Sequence, residues 1–164
     1  MSAPQTIEKV ILGVDPGTVV MGYSVVHIVK GEIKPLVMDV IKFNTKLDHY
    51  TRLAKIFDEL SKIVTLYTPD EMALEAPFFG KNVQSMLKLG RAQGVCMATA
   101  LSKQIPVFEY SPRLVKQSIV GNGNASKEQV SGMLKAMFPR VEHNYLDASD
   151  ALAVAVCHHN QTTG

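Results

Sequence analysis

The sequence predicts an α/β domain in which a mixed five-stranded sheet carries helices on both faces. Three β-rich runs follow one another in the first 43 residues, strands and helices then alternate, and no repeat or linker divides the 164 residues. Strands alternating with helices imply right-handed crossovers and parallel strands, whereas three successive β-rich runs imply antiparallel ones. A chain of this length fits one ordinary domain. We therefore expect a single domain over residues 1–164, with residues 1–8 and 160–164 flexible.

The first three elements are predicted to be strands. Residues 9–15 form a short, apolar, β-branched run that stops at Pro16-Gly17, which is typical of a buried central strand. Residues 22–29 and 33–43 are also β-rich. The segment Lys30-Gly31-Glu32 between them has the glycine that a hairpin turn uses.

The rest of the chain alternates between helices and strands. Residues 48–67 repeat their apolar side chains at steps of three and four, which predicts a helix that ends before Pro69. Short strands are predicted at 72–75 and 105–109, and further helices at 81–104, 112–119, 126–138 and 147–159. A mixed sheet with helices on both faces is the ribonuclease-H-like architecture.

Composition and charge restrict the function without deciding it. A net charge of +2 neither requires nor excludes a nucleic-acid partner. No run approaches the roughly 18 apolar residues of a membrane span, and the polar N-terminus has no signal-peptide core. Cys96 and Cys157 lie in apolar, helix-like runs without a CxxC motif, so we expect buried thiols and no zinc site. These features predict a cytoplasmic protein.

Four carboxylates stand where predicted elements begin or end. Asp15 ends the first strand in Asp-Pro-Gly, which is also ordinary turn chemistry, and Gly17 beside it would let a phosphate approach the backbone. Glu75 ends the fourth strand, where a solvent-exposed glutamate is the ordinary alternative. Asp147 and Asp150 share a face at the start of the last helix, although an acid there is also favoured as a cap.

Carboxylates brought together repel one another and raise their own pKa values unless a cation lies between them. Hard oxygen ligands favour Mg²⁺ or Mn²⁺ over zinc. Two such ions can activate a water and stabilise the leaving oxygen of a phosphodiester. We therefore expect Asp15, Glu75, Asp147 and Asp150 to be the catalytic acids of a Mg²⁺-dependent nuclease.

Motifs in a fixed order run through nearly the whole chain. They are ILGVDPGT at 11–18 with GY at 22–23, LE at 74–75, KN at 81–82, LKLGRAQGV at 87–95, PVFEY at 106–110, VKQ at 115–117, VG at 120–121 and DASDALA at 147–153. Together they resemble the RuvC family of Holliday-junction resolvases. The resemblance implies a ribonuclease-H-like homodimer that makes paired, symmetric nicks in a four-way DNA junction with Mg²⁺, for which Mn²⁺ substitutes.

The resemblance also implies roles for individual residues and partners. It makes Asp15, Glu75, Asp147 and Asp150 the ligands of two metal ions. Phe78 becomes a side chain that stacks on DNA, and a branch-migration helicase complex becomes the partner. Many members carry a longer, often basic C-terminal tail. Because this chain stops at Gly164, we expect no DNA contact from such a tail.

Aromatic and basic residues flank the acids. Phe78 and Phe79 follow Glu75 in a loop, where one ring could stack on a base, with burial in the core as the alternative. The basic candidates for DNA contact are Lys81, Lys88, Arg91, Arg113, Lys116 and Lys127, each with simple solvation as its alternative. The resemblance assigns Lys116 and Lys127 to DNA binding and cleavage. His143 lies just before Asp147, where it could orient a water or a metal ligand, but we favour an ordinary surface histidine.

Gly90, Gly94 and Ala98 form a stripe of small residues at four-residue spacing on the predicted helix 81–104. Such a stripe lets another element approach closely. Packing on the protein's own sheet is slightly favoured. The alternative is contact across the two-fold axis of a dimer, which paired nicks would require.

Three other functions fit parts of the pattern. Actin-like sugar kinases and ATPases open with a similar Asp-x-Gly-Thr loop, but they need two such domains and a longer chain. A resolvase-like nuclease acting on RNA, and a junction-binding module that has lost cleavage, remain open. The presence of all four acids favours an enzyme over the module.

Overall fold

The computed structural model describes residues 8–77, 80 and 82–163. Its sheet has five strands: β1 (Lys9–Asp15), β2 (Val20–Val29), β3 (Glu32–Lys42), β4 (Glu71–Glu75) and β5 (Val107–Tyr110). Their order across the sheet is β3-β2-β1-β4-β5. The first three strands pair antiparallel, while β4 pairs parallel with β1 and with β5. The predicted mixed sheet is confirmed.

Five helices cover the two faces of the sheet. They are α1 (His49–Tyr67), α2 (Val83–Ser102), α3 (Pro112–Val120), α4 (Lys127–Met137) and α5 (Leu146–Thr163). One buried cluster joins the sheet to α1 and α2, and a second joins its other face to α3, α4 and α5. Helices on both faces are therefore confirmed, and α5 continues through residues 160–163.

Strand β1 lies at the centre of the sheet, as its apolar run predicts. Ile11, Leu12 and Val14 are fully buried, and their side chains alternate between the two clusters. The hairpin between β2 and β3 turns at Lys30 and Gly31, which both have positive φ angles, 52° and 78°. Positive φ at both central residues suits the turn types that match the twist of a hairpin.

The parallel pairing of β1 with β4 brings two strand ends together. Val14 stands opposite Leu74 in the register, so Asp15 and Glu75 follow at neighbouring ends of the same sheet edge. Cys96 and Cys157 are buried free thiols, as predicted. In the described part of the chain, no helix combines the length and apolarity that a membrane span requires.

Candidate metal centre and nucleic-acid interface

Three carboxylates converge at one edge of the sheet. Asp15 ends β1, and Asp147 and Asp150 lie in the first turns of α5. Each offers an oxygen, and these oxygens all lie within 4.8 Å of one another, on partly buried side chains. Clustered carboxylate oxygens are the ligands that Mg²⁺ and Mn²⁺ prefer. The structure thus brings together three of the four acids named from the sequence.

Glu75, the fourth acid, stands beside this cluster. It lines a cavity of about 280 Å³ with Asp150, and its charge acts on Asp15. The buried Gln93 side chain of α2 donates from Nε2 to the Glu75 carbonyl oxygen, 3.0 Å away. The backbone amide of the next residue, Ala76, donates to the carbonyl oxygen of Tyr110, the last residue of β5, at 2.7 Å. The end of β4 is therefore held from two sides.

The acids depress one another's ionisation. Burial, then the charges of Asp150 and Asp147, a hydrogen bond with Asp147 and the charge of Glu75 raise the pKa of Asp15 to about 8. Burial also raises the pKa of Glu75 and of Asp150. Near neutral pH the interacting acids together retain a proton. A bound cation would displace that proton and relieve the repulsion.

Two lysines face the acids across the 280 Å³ cavity. Lys127 places Nζ 3.7 Å from Asp150 Oδ2, and Lys116 lines the same cavity. Both ammonium groups lower the pKa of Glu75 and of Asp150, against the effect of burial. The apolar part of the lining comes from α3, α4 and α5 and consists of Pro112, Val115, Val130 and Ala153.

The loop before Lys127 is fixed by local hydrogen bonds. The Ser126 side chain caps α4 by accepting from the Gln129 amide, and the Ser126 amide donates to Gln129 Oε1, which completes a capping box. Arg113 donates from Nη1 to Asn124 Oδ1 at 2.7 Å, and its side chain fills the space where Gly123 has no Cβ. Arg113 therefore braces this loop, which carries Lys127 to the acids.

A second cavity, of about 410 Å³, opens on the other side of the cluster. Its lining includes Asp147, the turn at residues 16–20, and Ser85, Lys88 and Leu89 of α2. Arg91 lies one turn further along α2 and is exposed. The candidate bases Lys88 and Arg91 thus stand on the opposite side of the acids from Lys116 and Lys127.

Gly17 and His143 each have a structural role that the sequence did not predict. A Cβ on Gly17 would lie 2.1 Å from the Val20 carbonyl oxygen, so the tight turn itself requires glycine, whereas room for a phosphate was predicted. His143 Nε2 donates to the Phe138 carbonyl oxygen at 3.1 Å, which ties down the segment after α4. The candidates Phe78, Phe79 and Lys81 lie outside the described residues.

The position of α5 depends on two glycines that the sequence analysis did not single out. A Cβ on Gly22 would lie 1.9 Å from the Asp147 carbonyl oxygen, and one on Gly13 would lie 2.1 Å from that of Ala151. Ser24 Oγ donates to the same Ala151 oxygen at 2.9 Å. The helix backbone therefore rests directly on β1 and β2. Glycines inside buried strands were the available signal, because such glycines mark a close backbone approach.

Gln93 was also missed. Its signal was a long polar side chain among the small residues Ala92, Cys96, Thr99 and Ala100 that form the buried face of α2. The small-residue stripe on the same helix was placed wrongly. A Cβ on Gly90 or Gly94 would meet nothing within 4 Å in the described part of the chain. The stripe therefore faces solvent and does not pack on the protein's own sheet.

Known proteins share the sequence pattern of this chain over nearly its whole length. Residues 11–158 match the family model described as crossover junction endodeoxyribonuclease RuvC. The chain belongs to the RuvC family. It is 55% identical over 161 residues to the RuvC of Cytophaga hutchinsonii, covering 98% of this chain and 80% of that relative. The RuvC of Porphyromonas gingivalis is 54% identical over 160 residues, covering 96% and 85%.

A solved RuvC structure has the same fold. The structure of T. thermophilus RuvC in complex with a Holliday junction substrate superposes with a TM-score of 0.86 at 30% identity. The match covers 94% of each chain. The ribonuclease-H-like prediction made from the order of elements is therefore confirmed.

Proposed function

We propose that this chain is an endonuclease that resolves four-way DNA junctions by paired, symmetric nicks during homologous recombination and DNA repair. The observation that carries the proposal is the convergence of Asp15, Asp147 and Asp150, with Glu75 beside them, in a member of the RuvC family. Basic side chains lie on both sides of these acids. A nucleic-acid backbone would therefore meet cations before and after the reacting phosphate.

The acid cluster fits divalent metal. Its donors are all carboxylate oxygens. Burial raises the pKa of Asp15, and the charges of Asp150, Asp147 and Glu75 raise it further through a repulsion that a cation would relieve. We propose two Mg²⁺ ions, replaceable by Mn²⁺, held by Asp15, Glu75, Asp147 and Asp150. Such ions would supply water activation and stabilisation of the leaving oxygen. The protein's own part is to hold four acids and two lysines on fixed elements.

Four basic residues supply the proposed grip on the DNA. Lys116 and Lys127 lie beside Glu75 and Asp150, while Lys88 and Arg91 lie beyond Asp147. The role of Phe78, Phe79 and Lys81 in DNA contact stays a proposal from the sequence. Their place in the chain, directly between Glu75 and the start of α2, supports it.

Paired nicks require two such sites, and we propose a homodimer formed through α2. One face of this helix is apolar or small and open to solvent; its members are Val83, Leu87, Gly90, Gly94, Ala98 and Leu101. Val83, Leu87 and Leu101 are 67%, 56% and 57% exposed. Two copies of this face fit an isologous contact, since the glycines allow the helix backbones to approach.

The dimer proposal has its own test. Gly94→Glu adds a charged side chain to the middle of the α2 face and should convert the dimer to a monomer. Leu66→Glu is the matched control, because Leu66 is a 72% exposed leucine on α1. Light scattering after size exclusion gives the mass of each variant. A Gly94→Glu protein that stays dimeric while folded would exclude this interface.

We further propose that the enzyme acts in the cytoplasm on junctions delivered by a branch-migration helicase complex. The family supports this arrangement. A resolvase-like nuclease acting on RNA and a non-cleaving junction-binding module remain the competing proposals, and the complete acid set argues against the module.

The function is tested by cleavage of an end-labelled four-way junction beside a linear duplex and an RNA–DNA hybrid. Each is incubated with and without Mg²⁺, with wild type and Asp147→Asn. Asp58→Asn serves as the charge-matched control, because Asp58 is exposed on α1. We expect paired nicks in the junction alone, dependent on metal and lost only in Asp147→Asn. Junction binding without cleavage in Mg²⁺ or Mn²⁺ would leave a binding module, and cutting of the hybrid would indicate an RNA-directed enzyme.

A further inference from the structure

A second group of polar side chains lies where the start of α1 meets α2. His49 is the first residue of α1, and both of its ring nitrogens are shielded from solvent with no hydrogen-bond partner among the described residues. The Nε of Arg52, one turn later, is in the same condition. Shielded polar atoms without partners cost free energy. They therefore mark a place where a ligand atom can improve the hydrogen bonding.

This group borders the cavity that begins at the acids. Arg52 donates from Nη1 to the Thr18 carbonyl oxygen at 3.2 Å, and Thr18 lines the 410 Å³ cavity together with Lys88 and Asp147. Lys88 therefore lines the same cavity as the metal-binding candidate Asp147, and Arg52 is hydrogen-bonded to Thr18 in the wall of that cavity.

The charge of the group is strongly positive. Desolvation, and then the charges of Arg91, Lys88 and Arg52, lower the pKa of His49, so these three cations lie near enough to act on the imidazole ring. Asp48 is the acid that opposes them, and its Oδ1 already accepts the Thr51 amide at 2.7 Å as the cap of α1. Three cations near an imidazole attract an anion, and a neutral imidazole can still donate one hydrogen bond to it.

We propose that His49, Arg52, Lys88 and Arg91 bind one backbone phosphate of the nucleic-acid strand as it leaves the acid cluster through the 410 Å³ cavity. The inference rests on the proposed function for the identity of the ligand. It adds His49 and Arg52 to the contacts expected from sequence and gives the strand a direction across the domain. The nucleic-acid strand would run from Lys116 and Lys127, past the acids and along the turn at residues 16–20, to the start of α1.

The test is junction binding by fluorescence anisotropy in EDTA, over a series of salt concentrations. The variant is Arg52→Gln with Lys88→Gln. Its control, Lys34→Gln with Lys135→Gln, removes the same charge from exposed positions on β3 and in the last turn of α4. Loss of one phosphate contact should make the slope of log affinity against log salt less negative by about 0.9 and weaken binding roughly tenfold. The control should keep the wild-type slope.

A neutral methylphosphonate placed in turn at each linkage near the scissile phosphate identifies the contact. One position should weaken wild-type binding roughly tenfold and leave the Arg52→Gln, Lys88→Gln variant unaffected. The proposal fails if the variant keeps the control's slope, or if every position weakens wild type and variant equally. If the variant does not fold, Lys88→Gln with Arg91→Gln, both exposed side chains, replaces it. This test measures junction binding in EDTA, where no cleavage is needed. A wild-type protein that never cuts the junction would therefore refute the proposed nuclease function without affecting the test of the phosphate contact.

Discussion

Replacing Asp15 with asparagine should stabilise the domain when no divalent metal is present. The pKa of this carboxyl rises from 3.8 to about 8 on folding, through burial and its acidic neighbours. Keeping it ionised therefore costs about 6 kcal/mol at one pKa unit per 1.36 kcal/mol. Because Asp15 titrates together with its acidic neighbours, only part of this cost belongs to Asp15 alone, and we expect the variant to gain about 2 kcal/mol.

The sign of the pH dependence follows from the direction of the pKa change. An acid whose pKa is raised by folding destabilises the folded state progressively as the pH rises from its unfolded-state pKa to its folded-state pKa. The metal-free wild type should lose stability as the pH rises from about 4 to about 8. Asp15→Asn should lose less, so the two proteins should differ most at pH 8.

Thermal unfolding in EDTA at pH 5 and pH 8 measures the effect. A gain of about 2 kcal/mol corresponds to a Tm roughly 4–8 °C higher for a domain of this size. Adding Mg²⁺ at pH 8 should raise the Tm of wild type and leave Asp15→Asn nearly unchanged, because ligand binding stabilises the folded state by mass action. Asp58→Asn should behave as wild type throughout. A metal-free Asp15→Asn protein that melts below wild type at pH 8 would refute the reasoning.

Three further predictions concern the supports of the site. Gly22→Ala should lower the free energy of unfolding in urea by about 3 kcal/mol or more, because its Cβ would lie 1.9 Å from the Asp147 carbonyl oxygen. Gly132→Ala should be neutral or stabilising, because a Cβ on Gly132 would meet no described atom outside its own stretch of helix within 4 Å. Equal effects of the two substitutions would contradict the close approach of α5 to β2. Gln93→Leu leaves the Glu75 carbonyl oxygen without its donor, so cleavage should need a higher Mg²⁺ concentration while junction affinity stays unchanged. The exposed Gln161→Leu should change neither quantity. A loss of junction affinity with an unchanged Mg²⁺ requirement would contradict this role for Gln93. Lys127→Met removes a cation that lowers the pKa of Asp150, so the acid limb of the pH–rate profile should move to higher pH, and a move to lower pH would contradict the assignment.

Much of the fold could be predicted because its signals are local. The apolar run at β1, the glycine turn between β2 and β3 and the three- and four-residue repeats of α1 each depend on neighbouring residues. The order of elements then restricts the sheet to few topologies, since crossovers are short and right-handed. The observed strand order places β1 beside β4, with Asp15 and Glu75 at adjacent strand ends.

The supports of the site could not be predicted in the same way, because they depend on contacts between distant segments. Gly22 is required by a carbonyl oxygen 125 residues later in the chain, and no local pattern reveals that approach. Gln93 donates to the backbone carbonyl oxygen of Glu75. Every residue type has such an oxygen, so the identity of residue 75 does not indicate the contact. The stripe at Gly90 and Gly94 was misplaced because spacing alone does not show which side of a helix faces the sheet.

The most direct measurement asks whether metal ions held by the four acids contact the reacting phosphate. A junction is made with sulfur in place of one non-bridging oxygen at the scissile phosphate, and its cleavage is timed in Mg²⁺ and in Mn²⁺. Mn²⁺ accepts sulfur more readily than Mg²⁺ does. We predict slow cleavage in Mg²⁺, recovery in Mn²⁺ and no recovery in Asp15→Asn. Equal rates in the two metals, with full activity in Asp15→Asn, would contradict the account.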